Sequence, residues 1–247
     1  MNVLSIIIPA RNESDNIITT VTDLVRTLDS HSLRYEILII DDGSVDNTYI
    51  LSSSLCADLG PHIRVFRNVG LNGFGRAICH GLSNITGDYV IIYMADASDS
   101  PDDVIRYYNY LLAGFDCVFG SRFMVGSIVT RYPFFKLLIN RVVNIVIATL
   151  FRLDYYDITN AFKAYSKHVI IGCAPLVSPH FNLTVELPLK AIVRGYSYTV
   201  IPISWTNRRH GVSSLKLHEM GSRYLYSILI CYFEFLLVRN DYRRIIK

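Results

Sequence analysis

The 247-residue chain carries a formal net charge of +3 and a sequence pI near 8.5. Without any basic stripe interleaved with aromatics, that balance argues against a nucleic-acid partner. Five cysteines, odd in number, widely spaced and without a Cys-x-x-Cys pair, exclude a disulfide framework and read as reduced thiols of a cytosolic protein.

Up to Ser121 the chain alternates strand and helix. Strands are predicted at 3–9, 36–41, 63–67, 89–95 and 116–120, and helices at 14–29, 46–59, 74–85 and 101–113. In the first helix Ser14 holds a cap position ahead of Ile17, Ile18, Val21, Leu24, Val25 and Leu28, spaced by three and four. This alternation predicts an α/β fold, a mostly parallel sheet with helices on both faces. The glycine-rich turn at 70–76 lacks the Gly-x-Gly-x-x-Gly spacing of a dinucleotide fingerprint. No linker, low-complexity run or internal repeat divides the chain, and no signal peptide precedes the first strand. The sequons at Asn12, Asn84 and Asn182 are therefore expected to be unmodified.

Three of the predicted strands end in polar residues. The first runs into Pro9, Ala10, Arg11, Asn12 and Glu13, the second into Asp41, Asp42, Gly43 and Ser44, and the fourth into Asp96 and Asp99. A strand that buries Val90, Ile91 and Ile92 cannot also bury unpaired aspartates, so the acids belong where the strand leaves the sheet. Asp102 and Asp103, after Pro101, read as acids in the first turn of a helix. Asp96 precedes that turn. Carboxylates gathered at the C-terminal edge of parallel strands suit a hard divalent cation, Mg²⁺ or Mn²⁺, which can in turn hold a diphosphate.

With Gly120, Ser121 and Arg122, residues 157–165 and residues 208–216, these strand ends resemble the motif series of the family-2 inverting glycosyltransferases. Within that family the chain is most similar to the polyprenol-phosphate (dolichol-phosphate) mannose synthase branch, from residue 3 to about residue 220. Two departures stand out. The family's Asp-x-Asp appears as Ala95, Asp96, Ala97, Ser98, Asp99, and the Ser-Lys after the last glycine reads Ser213, Ser214, with Lys216 displaced.

The resemblance implies a GT-A-type three-layer fold that transfers a sugar from a nucleotide sugar to a polyprenyl phosphate with inversion. GDP-mannose is the family's default donor and UDP-glucose the runner-up. It nominates Pro9, Ala10, Arg11, Glu13, Asp41, Asp42 and Ala97 for the donor, Asp96 and Asp99 for metal and diphosphate, and Arg122, Lys136, Asn140 and Arg208 for the acceptor phosphate. It places the 70–76 turn near the donor. A lipid monophosphate is already ionised and needs cationic positioning groups, whereas a glycan hydroxyl would need a general base. Asp157 and Glu186 are the candidates for that alternative. A reading outside catalysis is an idle nucleotide-sugar-binding scaffold subunit, against which the intact acids argue.

The apolar surplus, 51% hydrophobic residues and a mean hydropathy of +0.30, sits in the second half. Residues 133–151 carry Lys136, Asn140, Arg141 and Asn144 on one helical face, and the apolar run 224–238 carries Glu234. Fifteen helical residues span only ~22 Å, against a hydrocarbon core of roughly 30 Å. Both segments therefore fit helices lying at a membrane interface, with Arg239, Arg243, Arg244 and Lys247 toward anionic lipid on the cytoplasmic face. The other occupants of such faces are the protein's own core, a second copy or a membrane-anchor subunit. The expected division is a catalytic domain at 1–221 and a C-terminal amphipathic helix with a basic tail at 222–247.

Overall fold

The computed structural model describes residues 2–68, 70–207, 217–238 and 240–242. In chain order the first half comprises β1 (Leu4–Ala10), α1 (Ile17–Ser30), β2 (Tyr35–Asp41), α2 (Thr48–Leu59), β3 (Ile63–Arg67), α3 (Phe74–Leu82), β4 (Tyr89–Ile92), α4 (Pro101–Leu112) and β5 (Cys117–Ser121). The second half comprises β6 (Ile128–Thr130), α5 (Phe134–Phe151), β7 (Lys163–Ser166), α6 (Lys167–Cys173), α7 (Leu183–Val193), β8 (Tyr198–Pro202), β9 (Ser204–Thr206) and α8 (Leu217–Leu237).

A seven-stranded sheet runs β3-β2-β1-β4-β7-β5-β8, and β6 pairs with β9 in a separate ribbon. The pairs β1–β2, β1–β4, β2–β3 and β5–β8 are parallel, while β7 lies antiparallel between β4 and β5. Every residue of β1 is buried, as expected of a strand covered on both faces. Alternate residues then serve two cores. Ile6 and Ile8 face α1 and α4 (Val21, Leu24, Val104, Tyr107), whereas Ile7 faces α3, α5 and α7 (Ile78, Ile147, Leu187).

The end of β4 and the start of α1 each move by three residues for a local reason. β4 stops at Ile92 rather than residue 95. Beyond it the chain turns into a loop held by Tyr93 Oη donating to the Asp99 carbonyl (2.7 Å) and Thr20 Oγ1 donating to the Ala95 carbonyl (3.0 Å). α1 begins at Ile17, preceded by Asn16. The predicted cap, Ser14, instead donates its backbone N–H to Asp46 (3.1 Å).

The C-terminal helix is longer than the apolar run suggested and begins at Leu217. Its 21 residues would extend ~31 Å at the usual rise. One face is built into the domain through Ser227, Ile228, Cys231 and Glu234, all buried. Glu234 meets Arg194 in a buried two-bond pair (2.6 and 3.0 Å), which accounts for the acid in an apolar run. The opposite face exposes Leu225, Tyr226, Leu229, Phe233 and Leu236. α5 is likewise two-faced. Asn144, Ile147, Ala148 and Phe151 are buried, while Phe134, Phe135, Leu138, Ile139, Val142, Ile145 and Val146 lie exposed.

Candidate active site

Because β1, β2 and β4 run parallel, their C-terminal ends open onto one rim, with Ala10 paired to Asp41. The loops that follow are tied together by backbone donors. Asn12 N–H donates to Ser44 Oγ (3.0 Å), Glu13 N–H to Thr48 Oγ1 (2.8 Å), and Val45 N–H to Asn12 Oδ1 (2.9 Å). Pro9 and Ala10 end β1 and are buried, whereas Arg11 is exposed.

Asp41 is fully buried. Its Oδ1 accepts from Ser44 N–H (3.3 Å), and its Oδ2, without a hydrogen bond, lies 3.5 Å from Arg67 Nε. Asp42 accepts from Gly73 N–H (2.8 and 2.9 Å) and from Asn68 Nδ2 (2.9 Å). The rim of β2 is thereby joined to the 70–76 turn, which the family resemblance expects near the donor.

The acid loop is the most constrained part of the rim. Asp96 Oδ1 accepts from Ser98 N–H (3.2 Å), and Ala97 adopts a left-handed conformation (φ 55°), strained for a residue with a Cβ. Asp99 forms an isolated antiparallel bridge with Trp205, and Thr206 N–H donates to the Ser98 carbonyl (2.9 Å). Burial and then the neighbouring Asp96 charge push the Asp99 carboxyl up to about 8, against the pull of Arg122. Asp99 Oδ2 is buried without a hydrogen-bond partner.

A buried orphan carboxylate oxygen beside a second carboxylate is a site where a cation would offset the desolvation cost. Among the described residues no group of three or more His, Cys, Asp or Glu is placed to hold a metal. Two carboxylates completed by phosphate oxygens and water make a shell that suits Mg²⁺. The residues present therefore fit a divalent cation shared with a diphosphate.

Arg122 follows β5 and is held, not loose. Nε and Nη2 donate to the two oxygens of Asp157 (2.9 and 2.6 Å), the Arg122 backbone N–H donates to Asp157 Oδ2 (2.8 Å), and Nη1 points to Tyr132 Oη (3.5 Å). Phe123, Tyr132 and Trp205 surround the guanidinium at 5.4 to 5.8 Å. Burial disfavours this cation, yet the Asp157 charge and hydrogen bonds hold it above the usual arginine range.

Of the other acceptor candidates, Lys136 is exposed on the first turn of α5. Asn140 donates to Thr159 Oγ1 (2.7 Å) and accepts from Asn144 Nδ2 (3.0 Å), in a polar seam that anchors the helix. Arg208 lies outside the described residues, as do Lys216 and the basic residues Arg239, Arg243, Arg244 and Lys247.

Both base candidates are engaged elsewhere. Asp157 is committed to Arg122. Glu186 accepts from Lys190 Nζ (2.7 Å), Val177 N–H (2.9 Å) and Ser178 N–H (2.7 Å), and these bonds hold its pKa below the ordinary glutamate value despite burial.

Three contributors escaped the sequence reading. Tyr132, just after β6, and Trp205, in β9, reach Arg122 from two strands whose pairing no local signal announces. Lys163 is buried and donates to the carbonyls of Ile158, Asn160 and Thr184, fastening the loop that carries Asp157. A lysine in a strand of the 157–165 motif was the available cue.

The chain is similar to several known proteins. The chain is 29% identical over 215 residues to polyprenol monophosphomannose synthase of Mycolicibacterium smegmatis, covering 85% of this chain and 80% of that protein. It is 29% identical over 218 residues to dolichol-phosphate mannosyltransferase of Pyrococcus furiosus, covering 86% of this chain and 59% of that one. In three dimensions it resembles glucosyl-3-phosphoglycerate synthase of Mycobacterium tuberculosis, crystallised with Mn²⁺, UDP and phosphoglyceric acid. That match has a TM-score of 0.71 at 20% identity and covers 94% of this chain and 78% of that one; it establishes the GT-A architecture. The sequence profile described as glycosyl transferase family 2 matches residues 5–178, the stretch that holds the rim acids, Arg122 and Asp157. The chain belongs to glycosyl transferase family 2.

Proposed function

We propose that the protein transfers a sugar, mannose from GDP-mannose by preference, to a polyprenyl phosphate with inversion at the anomeric carbon. The observation that carries this reading is the buried pair Asp96 and Asp99 on the rim, with Asp99 Oδ2 unpartnered and Arg122 close enough to influence it. Asp96 and Asp99 would hold Mg²⁺ or Mn²⁺, which neutralises charge on the leaving diphosphate. Pro9, Ala10, Arg11, Glu13, Asp41, Asp42 and Ala97 line the nucleotide side.

The acceptor phosphate approaches from the side of Arg122, Lys136 and Asn140; Arg208, outside the described residues, is assigned to it by the family resemblance alone. Asp157 orients Arg122 and leaves Nη1 as the nitrogen not bonded to the carboxylate. The engagement of Asp157 and Glu186 in ion pairs favours an acceptor that needs no base, a phosphate, over a glycan hydroxyl. UDP-glucose is the competing donor.

The apolar faces of α5 and α8 support attachment to the surface of a membrane. α5 is long and apolar enough to cross a bilayer, with a mean hydropathy of 1.8 over its 18 residues. Its Asn140–Asn144 seam and buried Ile147 and Phe151 instead fasten it along the domain. Exposed Arg131, Lys136 and Arg152 near its two ends suit anionic headgroups.

The deciding experiment incubates the enzyme and Mg²⁺ or Mn²⁺ with a panel of nucleotide sugars and an extracted polyprenyl phosphate, and weighs the lipid product. A product heavier by one hexose only with GDP-mannose is the expected result. Turnover on a glycan alcohol but not on the lipid phosphate would overturn the reading.

A further inference from the structure

The inner face of α8 touches a loop that in turn touches the nucleotide side of the rim. Ser227, midway along the helix, is buried. Its Oγ lies 2.8 Å from Ser178 Oγ and accepts from Asn182 Nδ2 at 2.8 Å, while the same Asn182 nitrogen donates to Ser178 Oγ (2.8 Å) and to the Arg223 carbonyl (3.4 Å). Asn182 and Ser178 are themselves buried, so this is a closed polar node inside an apolar layer, where a missing partner is costly. Burial also closes the Asn182 sequon to glycosylation in the folded protein.

Between Ser178 and Asn182 the chain lies directly on the start of α3. Arg76 N–H donates to the Pro179 carbonyl (3.2 Å), and the rings of Phe74 and Phe181 stack at 4.1 Å, 11° from parallel. The approach is close enough to require glycine twice. A Cβ on Gly73 would fall 2.2 Å from the Pro179 carbonyl oxygen, and one on Gly75 would fall 2.1 Å from that of Ser178. Gly73 is also the residue whose N–H is held by Asp42 (2.8 Å). An unbroken path of contacts thus leads from Ser227 through Ser178, Asn182 and Phe181 to Gly73 and Asp42.

We infer that the Ser178–Asn182–Ser227 node is a positioning element for the donor. α8 sets the height of the 178–181 loop, and that loop sets where the 70–76 turn and the Asp42 carboxylate stand. The inference rests on the assignment of Asp42 and the 70–76 turn to the nucleotide side. It gives the C-terminal helix a role distinct from membrane attachment, because Ser227 lies on the face turned away from the exposed Leu229 and Phe233.

The test compares Ser227→Ala with Glu234→Gln. The second loosens α8 about two turns further along, at its contact with Arg194, without touching the 178–182 loop. Affinities for GDP and for UDP, each with Mn²⁺, are measured by calorimetry beside the melting temperature and the KM for the lipid phosphate. Ser227→Ala is expected to weaken nucleotide binding about tenfold with acceptor KM unchanged, the size of one buried hydrogen bond. Glu234→Gln is expected to lower the melting temperature while leaving nucleotide affinity within about twofold, since additivity holds for separate sites. Phe181→Leu, which removes the stack at the far end of the path, should reproduce the Ser227→Ala effect and serves if that variant fails to fold. Unchanged nucleotide affinity in both Ser227→Ala and Phe181→Leu would overturn the inference. So would a loss of affinity in all three variants that merely tracks melting temperature. If the unaltered enzyme binds neither nucleotide, the donor site itself is misassigned and the inference falls with it.

Discussion

Two carboxylates and one guanidinium dominate the rim at the scale of single residues. Asp96→Asn should abolish transfer and leave the circular dichroism spectrum unchanged, because an amide cannot replace the charge a cation needs. Asp99→Asn should do the same. Near wild-type turnover in Asp96→Asn, with loss only in Asp99→Asn, would centre the site on Asp99 alone. Arg122 calls for a gentler substitution than alanine. Removing it would strand the Asp157 charge inside the protein, a change that costs about 3–5 kcal/mol and confuses folding with binding. Arg122→Lys keeps the charge but loses the two-point geometry with Asp157. Its expected outcome is a raised KM for lipid phosphate, a lowered melting temperature and unchanged nucleotide affinity. Equal losses for donor and acceptor would leave Arg122 a purely structural residue.

Single elements make two further predictions. α5 presents Phe134 and Phe135 at 72% and 78% exposure. Fully burying such a side chain gains about 1.5–3 kcal/mol. Phe134→Ser with Phe135→Ser should therefore weaken binding to anionic vesicles on the order of a hundredfold or more, given about 1.4 kcal/mol per decade. Salt should weaken the unaltered protein's attachment only in part, since apolar burial is not screened. Equal vesicle binding by both proteins would leave the α5 face to a protein partner. In α7 the pKa of Glu186 is lowered from its ordinary value of 4.5, so the sign is that of a depressed acid. The stability it contributes is present above 4.5 and is lost as pH falls through the lower folded-state value. Glu186→Gln, which leaves the buried Lys190 unpaired, should cost about 3–5 kcal/mol at neutral pH. In denaturant titrations that gap should narrow below pH 4.5; a gap independent of pH would mean that packing, not charge, sets the cost.

For the whole molecule, the expected boundary at residue 221 meets a helix that continues through it from Leu217 to Leu237. Deleting residues from 217 onward would remove Ile228 and Cys231 from the core cluster they share with Leu183 and Leu187 of α7, uncover that cluster and leave Arg194 without its carboxylate partner. The truncated protein should be insoluble or should melt at a much lower temperature. A soluble product with cooperative melting near that of the full chain would make α8 a separable appendage.

Much of this architecture is legible along the chain. Strand alternation, the α1 stripe and the polar strand ends are local patterns with periods of two and of three to four, and they place Asp41, Asp42, Asp96 and Asp99 on one rim without any knowledge of packing. The sequence by itself therefore determined the order of the elements from β1 to β5, the edge of the sheet that carries the acids and the excess of apolar helix in the second half. Partners that arrive from distant segments were not legible. Asp157 beside Arg122, Glu234 beside Arg194, Trp205 beside Asp99 and Ser227 beside Asn182 depend on β7 entering the sheet antiparallel and on α8 lying against α7. Only the tertiary structure decided those pairings, because a buried charge or amide takes as its partner whichever group packing brings within hydrogen-bond reach.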